Sequence, residues 1–562
     1  MLSRFSERHA MAAGVVLSIL CVAYFYLLDR LWFSSSHFSP IFRALLKFDG
    51  QTAWLALAIS VLALVWNRPA PILRCVDFLG RHPIGLALAA VTLVAAGSLT
   101  VYHAYPLSMD EYAAVFQAKI FASGQVAAQL PRGLVDWLIV RGFNGAFLIS
   151  SPQIGTVIGA YWPGFALLLA PFEFIDAPWL CNALLTGMAI YLIYWITKEV
   201  TQDRRAGAWA MLFALASGAF VADGISYYSM QAHLAANLLY VALLTKPSRY
   251  HAFGAGLVGS LALILHNPMP HALFSVPWIA AMAMQRDQRR HLLPLMVGYL
   301  PGVGMGLLWL GLRSEIALGA PGAAAMHGVA SGIFVWPDVN LLNSRVAALV
   351  KMVVWAMPGL FALALYGFVR QAKDLRVRLL AASAILTFLG YLFVRFDQGH
   401  GWGYRYFHSA WGAVPILAGC AMIDRRQGNS RLASFAGATA LLSLLAIVPF
   451  HLTQIDGFIA EHLAQLGSPR RPGNNVYFIH PGGGFYVADM VQFDPRLRTR
   501  DLFLVSHGRD LDTQFIRQNW PEAATVSHGP AADQWYLGLT DQRAPIPGRP
   551  KERQFVIAHV PP

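Results

Sequence analysis

The dominant pattern along the chain is a series of apolar stretches separated by short polar loops. Most of the stretches are about 15–23 residues long, and a helix of roughly 20 apolar residues crosses the hydrocarbon core of a bilayer. The pattern therefore predicts an all-α polytopic membrane protein with about 13 transmembrane helices. The predicted spans lie at about 11–28, 52–66, 84–103, 178–197, 206–222, 234–246, 252–266, 271–284, 292–312, 346–369, 378–394, 407–423 and 431–453.

One further apolar stretch, at about 161–176, is predicted to be a juxtamembrane or re-entrant helix rather than a full crossing. Two prolines and two acidic residues interrupt it, namely Pro163, Pro171, Glu173 and Asp176. Prolines break helices and buried carboxylates are costly in lipid, so a full crossing is disfavoured here. This choice also decides sidedness, because a crossing at this point would invert every later loop.

Composition supports the membrane class, since 56% of the residues are hydrophobic and only 13% are charged, against roughly 25% charged in soluble domains. The four cysteines lie within or beside apolar spans and lack metal-ligand spacing, which argues against disulfides and a zinc site. The net charge of +13 comes mostly from Arg and Lys in short loops. Without a basic helix or an aromatic–basic stripe, nucleic-acid binding is not expected.

The basic residues also predict the orientation. One set of short loops contains 20 Arg and Lys residues, whereas the longer loops on the opposite side contain 10. Because short cytoplasmic loops carry the excess of positive charge, the N-terminus is predicted to be cytoplasmic and the C-terminal segment extracytoplasmic. The first apolar stretch is interpreted as a retained helix rather than a signal peptide, since many spans follow it.

The composition changes after about residue 454. The segment 468–562 is rich in Pro, Gly, Arg and Asp and contains strand-like runs at Val476–Ile479 and Leu502–Val505. A helix is predicted at Asp510–Trp520. We therefore expect a transmembrane domain at 1–453 and a small soluble α/β domain at 454–562.

Dense polar clusters occur only in the loops predicted to be outside. They lie at 108–112 within the long loop 104–160, and at 223–233, 266–271 and 397–406. Solvation and anchoring at the lipid headgroups explain such residues without any function. The adjacent carboxylates Asp110 and Glu111 are the strongest exception, because two neighbouring carboxylates suit general-base work or metal ligation.

Two other clusters have candidate chemistry. In the segment 399–403, glycines would allow the backbone to approach a ligand closely, and Arg405 offers a fork of donors suited to phosphate. His266 and His271 flank two prolines and form a candidate metal pair, although buried histidines at helix ends are the more common explanation. Lys351, inside a predicted span, is either functional or a snorkelling residue.

The sequence around several of these residues resembles that of a known family. The run Met109–Ala113 in an outer loop resembles the first-loop motif of the GT-C membrane glycosyltransferases. The runs Tyr161–Gly164 and Leu180–Leu184, followed by Tyr194 and the basic turn Arg204–Gly207, are similar to the next segment of the protein O-mannosyltransferase and lipid A aminoarabinose transferase branch. In that branch a juxtamembrane helix precedes a span that ends in a short basic turn.

The resemblance extends over roughly residues 84–240, and the rest agrees only in architecture. It implies transfer of a sugar from a polyprenyl-phosphate-linked donor to a hydroxyl acceptor on the outer face of a bacterial inner membrane. Asp110 would be the general base and Glu111 its neighbour. Cations must stabilise the charge that develops on the leaving phosphate, and the candidates are Lys119, Arg395, Arg405, His400 and Lys351. The candidate substrate contacts are Tyr112, Asp223, Tyr228, His266, His271, Trp402 and Tyr404.

Some questions stay open at the level of sequence. Family members differ in whether a divalent metal binds at the acidic loop, so a metal is left open and no metal ligand is assigned. The branch usually has one helix before its acidic loop, whereas three are predicted here, and the segment 397–406 matches no familiar motif. Because that segment matches no motif of known specificity, the sequence leaves open whether the acceptor is a lipid, a glycan or a protein. The alternative functions are a transporter or flippase, a ligase or polymerase using lipid-linked saccharides, and a membrane scaffold.

Overall fold

The structure is a computed structural model that describes residues 6–27, 40–151, 153–318, 333–423, 431–464, 475–480, 487–499, 501–520, 525–528 and 556–558. The chain divides into two compact units. Unit 1 comprises Met1–Val101, Trp179–Met305 and Gly332–Gln454, and unit 2 comprises Tyr102–Pro178, Gly306–Ser331 and Ile455–Pro562.

Helices dominate the described residues. In the first half of the chain they are α1 (Glu7–Leu27), α2 (Pro40–Val65), α3 (Pro69–Arg81), α4 (Pro83–Thr100), α5 (Met109–Ala122), α6 (Val135–Leu138), α7 (Gly164–Phe174), α8 (Trp179–Thr201), α9 (Arg204–Leu215), α10 (Gly218–Ile225), α11 (Met230–Leu244), α12 (Arg249–Ile264) and α13 (Met269–Met284). In the second half they are α14 (Leu292–Leu318), α15 (Val339–Val354), α16 (Leu360–Gln371), α17 (Leu375–Gly390), α18 (Ala413–Ala421), α19 (Arg431–Leu442), α20 (Val448–Ala464) and α21 (Arg509–Asn519).

Within the described residues, seven helical segments are long and apolar enough to cross a membrane, or eight if the bent pair α9–α10 counts as one span. Seven of the predicted spans coincide with these segments. They correspond to α1, α2, α4, α8, α14, α17 and the continuous helix formed by α19, a π-helical turn and α20. The other six predicted spans fall on helices that are shorter or broken.

The breaks have local causes. The predicted span 206–222 bends by 67° between α9 and α10, where Ser217 precedes the second helix in an extended conformation. The predicted span 346–369 is divided into α15 and α16 at Pro358 and Gly359, and Gly359 has φ +80°. Proline and a left-handed residue both interrupt the helical hydrogen-bond ladder, so an apolar run alone does not give a continuous helix.

The stretch predicted as a juxtamembrane helix forms α7, which is only 11 residues long. At 1.5 Å per residue it extends about 16 Å, roughly half of the ~30 Å hydrocarbon core. Its N-terminal neighbour Pro163 and the internal Pro171 mark the interruptions expected from the sequence. As a single straight helix α7 is therefore too short to span the hydrocarbon core, and its juxtamembrane or re-entrant position stays a prediction.

Unit 2 contains two small sheets. In the first, β1 (Ala128–Gln129) and β2 (Leu148–Ser151) both pair antiparallel with β3 (Thr156–Gly159). The second sheet has the order β5–β4–β6–β7, built from β4 (Asn475–Ile479), β5 (Leu502–Val505), β6 (Thr525–His528) and β7 (Val556–Ala558). Strands β5 and β6 pair parallel with β4, and β7 pairs antiparallel with β6.

The strands predicted at 476–479 and 502–505 and the helix predicted at 510–520 therefore lie within one residue of β4, β5 and α21. The boundary predicted near residue 454 also lies beside a boundary between the units. One hydrophobic core of unit 2 contains both Phe116 of α5 and Phe478 of β4. Unit 2 thus combines the long loop after α4 with the C-terminal segment, a grouping that the sequence pattern does not predict.

Candidate active site

The start of α5 holds the two carboxylates that the sequence singles out. Glu111 is fully buried, and both of its oxygens accept hydrogen bonds. The backbone N–H of Ser108 donates to Oε2 at 3.1 Å, and the hydroxyl of Tyr102 donates to Oε1 at 2.8 Å. This arrangement is a capping box, in which Ser108 and Glu111 satisfy the free backbone groups at the helix start. Glu111 therefore fixes the start of α5, whereas Asp110 beside it is partly exposed.

Asp110 is oriented by an aromatic hydroxyl from a distant part of the loop. The hydroxyl of Tyr161 donates a short hydrogen bond to Oδ1 of Asp110. The indole Nε1 of Trp309 in turn donates to the backbone oxygen of Tyr161 at 2.8 Å, which fixes the residue that carries the phenol. The contact fixes the direction of the Asp110 carboxyl group, and a general base must be positioned in this way to reach the proton that it takes.

A positive charge lies near this pair. Arg313, on the last turns of α14, is close enough to Tyr161 for an electrostatic interaction. Arg313 is not among the site residues predicted from the sequence. The signal was a basic residue at the end of a long apolar span, where charged side chains usually have a function.

Lys119 does not lie on the same side of α5 as Asp110. Nine residues separate the two, which is about 14 Å along the helix and half a turn around it. Lys119 instead acts electrostatically on Glu173 of α7. Lys119 and Asp110 are thus not neighbours on α5. The contact of Lys119 with the donor phosphate stays a prediction.

Tyr112, predicted to contact substrate, is buried and bonded to the C-terminal segment. Its hydroxyl donates to the backbone oxygen of Phe493 at 2.6 Å and accepts from the N–H of the same residue at 2.8 Å. Burial raises the pKa of Tyr112 well above its ordinary value, so this hydroxyl is a neutral donor. In the structure it joins α5 to residue 493.

A second polar cluster, in unit 1, contains four of the predicted residues. Arg405 is buried, and its Nε and Nη2 donate to the backbone oxygen of Gln398 at 3.1 and 2.6 Å. Its guanidinium lies over the ring of Tyr228, 5.0 Å from the centroid. The hydroxyl of Tyr228 contacts Nδ1 of His400 at 2.5 Å, and His400 packs edge-on against Trp402.

Two of the three glycines of this segment, Gly401 and Gly403, are packed closely against neighbouring side chains, whereas Gly399 has open space beside it. Gly401 has φ +145° and Gly403 has φ +66°, values that other residues rarely adopt. A Cβ at Gly401 would lie 2.8 Å from Cδ of Arg405, and one at Gly403 would lie 2.8 Å from Cβ of Ala219. At Gly401 and Gly403 the missing side chains make room for Arg405 and Ala219, and close approach of a ligand to this segment stays a prediction. Tyr404, which directly follows Gly403 in the chain, is buried.

Asp223, predicted to contact substrate, pairs with a histidine that the sequence analysis missed. Its Oδ2 lies 2.8 Å from Nδ1 of His408, and both side chains are 1% exposed. Nε2 of His408 contacts Oε1 of Gln231 at 2.9 Å. No local pattern connects these three residues, since they come from α10, α11 and the 3-10 turn 405–410.

The remaining predicted residues of unit 1 have diverse environments. Both ring nitrogens of His271 are hydrogen-bonded, one to Asn237 and one to Tyr299, each at 2.7 Å. His271 therefore fits the buried structural histidine that the sequence left as the more common case. His266 is half-buried and Arg395 is exposed.

Lys351 forms a buried ion pair. Its Nζ lies 2.7 Å from Oδ2 of Asp49. The indole Nε1 of Trp355 donates to the other oxygen of the same carboxylate at 2.6 Å. Lys351 is thus neutralised inside unit 1, and a role in binding the donor phosphate stays a prediction. The part of the chain that the structure describes contains no group of three or more His, Cys, Asp or Glu side chains arranged to hold a metal ion.

Comparison with known proteins shows the fold. No protein-family model matches the sequence, and no curated protein sequence has significant similarity to it. The solved structure of ArnT from Cupriavidus metallidurans bound to undecaprenyl phosphate is similar with a TM-score of 0.51 and 14% sequence identity, and the match covers 84% of this chain and 97% of that one. The chain has the fold of ArnT. The structure of ArnT in the apo state matches with a TM-score of 0.45 at 15% identity, covering 79% of this chain and 94% of that one.

The ArnT likeness confirms the predicted fold class, a polytopic helical membrane protein of the GT-C type with small sheets in the C-terminal segment. The match covers almost all of the ArnT chain, so it is not confined to the segment 84–240 on which the sequence resemblance rested. At 14% identity the likeness concerns the fold only, and the roles of the site residues need their own argument.

Proposed function

We propose that the protein is a membrane glycosyltransferase that moves a sugar from a polyprenyl-phosphate-linked donor to a hydroxyl acceptor. The observation that carries the proposal is a partly exposed carboxylate, Asp110, which Tyr161 orients at the start of α5 in a chain with the ArnT fold. The solved ArnT structure was obtained with undecaprenyl phosphate bound. A lipid phosphate of this kind is the leaving group that the proposed reaction requires.

In the proposed reaction Asp110 takes the proton from the acceptor hydroxyl as that oxygen attacks the anomeric carbon. The bond between the anomeric carbon and the phosphate oxygen breaks, and its electron pair goes to the lipid phosphate. A nearby cation lowers the energy of the charge that develops on the phosphate. Our candidate for this cation is Arg313, which interacts electrostatically with Tyr161 in unit 2; contacts of Arg395 and Arg405 with the donor phosphate stay predictions from the sequence. The donor phosphoester is already activated, so the reaction needs no ATP.

The proposal predicts that Asp110→Asn abolishes transfer. In a strain that lacks the gene, this variant should fail to restore the missing surface glycan, and the polyprenyl-phosphate-linked sugar should accumulate in lipid extracts analysed by mass spectrometry. The matched control is Asp136→Asn, which removes the same charge from an exposed position in the same loop. It should behave as the wild type. Full restoration by Asp110→Asn, at wild-type protein level, would contradict the assignment.

We also propose that the N-terminus is cytoplasmic and that unit 2 is extracytoplasmic, in a bacterial inner membrane. The proposal rests on the excess of basic residues in one set of short loops. Alkaline phosphatase fused after residue 464 should be active, because that reporter folds only outside the cytoplasm. An active fusion in the loop after α8, at 202–203, would contradict this orientation.

A transporter of lipid-linked saccharides is the second candidate. Two buried pairs of ionisable side chains in unit 1, Lys351 with Asp49 and His408 with Asp223, favour it, because ionisable groups within membrane segments often line transport pathways. The discriminating measurement uses protein reconstituted in vesicles with the accumulated donor lipid. Movement of the lipid across the bilayer without formation of a glycosylated product would support the transporter.

A further inference from the structure

Asp489 of the C-terminal segment lies buried beside the two carboxylates of α5. It is 3% exposed and belongs to the short 3-10 turn Ala488–Met490. Its carboxyl group accepts a hydrogen bond from the backbone N–H of Met109, the first residue of α5. The first N–H groups of a helix have no partner within the helix, so Asp489 satisfies one of them from a distant part of the chain.

The segment that carries Asp489 is fixed against the loop before α5. Nε2 of Gln492 donates to the backbone oxygen of Pro106 at 2.7 Å, and the backbone of Phe493 exchanges two hydrogen bonds with the hydroxyl of Tyr112. The ring of Phe493 also packs edge-on against Phe116, with centroids 5.2 Å apart. These contacts hold Asp489 at the start of α5.

We infer that Asp489 is a positioning residue for Asp110, so that the candidate active site includes a carboxyl group from the C-terminal segment. This inference deepens the proposed function and rests on it. Met109 is adjacent to Asp110 in the chain, and the hydrogen bond from its N–H to Asp489 holds the backbone that carries the base. The role of Asp489 is therefore to fix the direction of Asp110 while adding no charge beside it.

The absence of added charge follows from the surroundings of Asp489. Burial raises the pKa of its carboxyl group well above the ordinary value, and the nearby charges of Asp110 and Glu111 raise it further. The buried phenol of Tyr105 is a further titratable group that interacts with it. The surroundings of Asp489 thus favour its neutral form, in which the carboxyl group can accept from Met109 without adding a charge. An ionised Asp489 would be a third carboxylate at this place and would add to the repulsion of the anionic donor phosphate.

The first test compares the pH dependence of sugar transfer, using the lipid-linked sugar purified from the deletion strain. Wild-type transfer should fall at alkaline pH as Asp489 loses its proton. Asp489→Asn keeps an oxygen that accepts from Met109 but cannot ionise, so this alkaline decrease should disappear. Asp489→Ala removes both the acceptor and the ionisable group, so it should lower transfer about tenfold at neutral pH, as expected for the loss of a helix-start hydrogen bond, and it should also lack the alkaline decrease.

The control is Asp510→Asn, an exposed position in the same segment, which should leave the profile unchanged. If Asp489→Asn shows the same alkaline decrease as the wild type, or if Asp489→Ala transfers at the wild-type rate, the inference is overturned and the proposed function stands. If Asp110→Asn transfers normally, the proposed function itself fails.

A second test needs no enzymatic activity. A buried acid with a raised pKa stabilises the fold below its unfolded pKa and loses that contribution as the pH rises through its folded pKa. Asp489→Asn should therefore remove part of the decrease in Tm with rising pH. Because the charge of Asp110 contributes to the raised pKa, the effect of Asp489→Asn should be smaller in an Asp110→Asn background. Equal effects in both backgrounds would show that the two groups are independent and would overturn the inference, even if no sugar transfer is detected.

Discussion

Replacing Lys351 by Met is expected to destabilise the protein strongly, because it leaves the carboxylate of Asp49 buried without its counter-charge. The two side chains are 1% and 0% exposed, and Nζ lies 2.7 Å from Oδ2. Removing one partner from a buried pair of this kind costs roughly 3–5 kcal/mol. Trp355 still donates to the other oxygen of Asp49, so the lower half of that range is the more reasonable expectation.

A matched surface pair provides the control. Nε of Arg205 lies 2.7 Å from Oδ1 of Asp77, the same distance as in the buried pair, but the side chains are 45% and 21% exposed. Exposed pairs contribute about 0–1 kcal/mol. Arg205→Met should therefore change the free energy of unfolding by less than about 1 kcal/mol. The separation of the charges is equal in the two pairs, whereas Asp77 is more exposed and keeps Arg81 and Arg204 as counter-charges, so both differences predict the smaller effect for Arg205→Met.

The assay is equilibrium unfolding of purified protein in detergent, followed by tryptophan fluorescence. The double variant Asp49→Leu with Lys351→Met should be more stable than Lys351→Met alone, since no uncompensated charge is left. If Lys351→Met and Arg205→Met destabilise equally, the reasoning from burial is refuted. If Lys351→Met leaves stability unchanged but abolishes sugar transfer, Lys351 acts on the donor, as the sequence predicted.

Three further outcomes are expected. Tyr161→Phe should lower kcat/KM for transfer by about 10- to 100-fold at an unchanged protein level, because a hydrogen bond to a charged group is lost. Wild-type kinetics for this variant would exclude an orienting role for Tyr161. Glu111→Gln should lower Tm through loss of charge in the capping box shared with Ser108, and an unchanged Tm would contradict the structural role. Burial raises the pKa of Glu173 to about 7, so the Tm of the wild type should fall as the pH rises through that value. Glu173→Gln should remove this decrease. A decrease in the variant equal to that of the wild type would refute the raised pKa of Glu173.

The sequence predicted the membrane class and much of the helix pattern because both depend on local composition. An apolar stretch of sufficient length forms a membrane helix whatever its neighbours are. Predictions were less accurate where one short feature interrupts an apolar run. Pro358 and Gly359 divide one predicted span, and a bend near Ser217 divides another. These interruptions are weak signals against a background of strong hydrophobicity.

The candidate site was predictable only in part. Asp110 was found because an acidic pair after a span is unusual in a chain with so few charges. The division of roles within that pair was not predictable, since it depends on the hydrogen bonds that Tyr102 and Ser108 direct to Glu111. Tyr161 belonged to the family resemblance but had no assigned role until its hydroxyl was found against Asp110.

The sequence by itself therefore determined that the chain is a polytopic helical membrane protein and that Asp110 is its leading candidate for a base. Only the tertiary structure decided which distant residues surround that base. Tyr112 and Phe493 are 381 residues apart in the chain, and Asp489 reaches the start of α5 from the same C-terminal segment. Local hydrophobic periodicity carries no information about such pairings. They are decided by how the loop and the C-terminal segment bury their apolar side chains in one core.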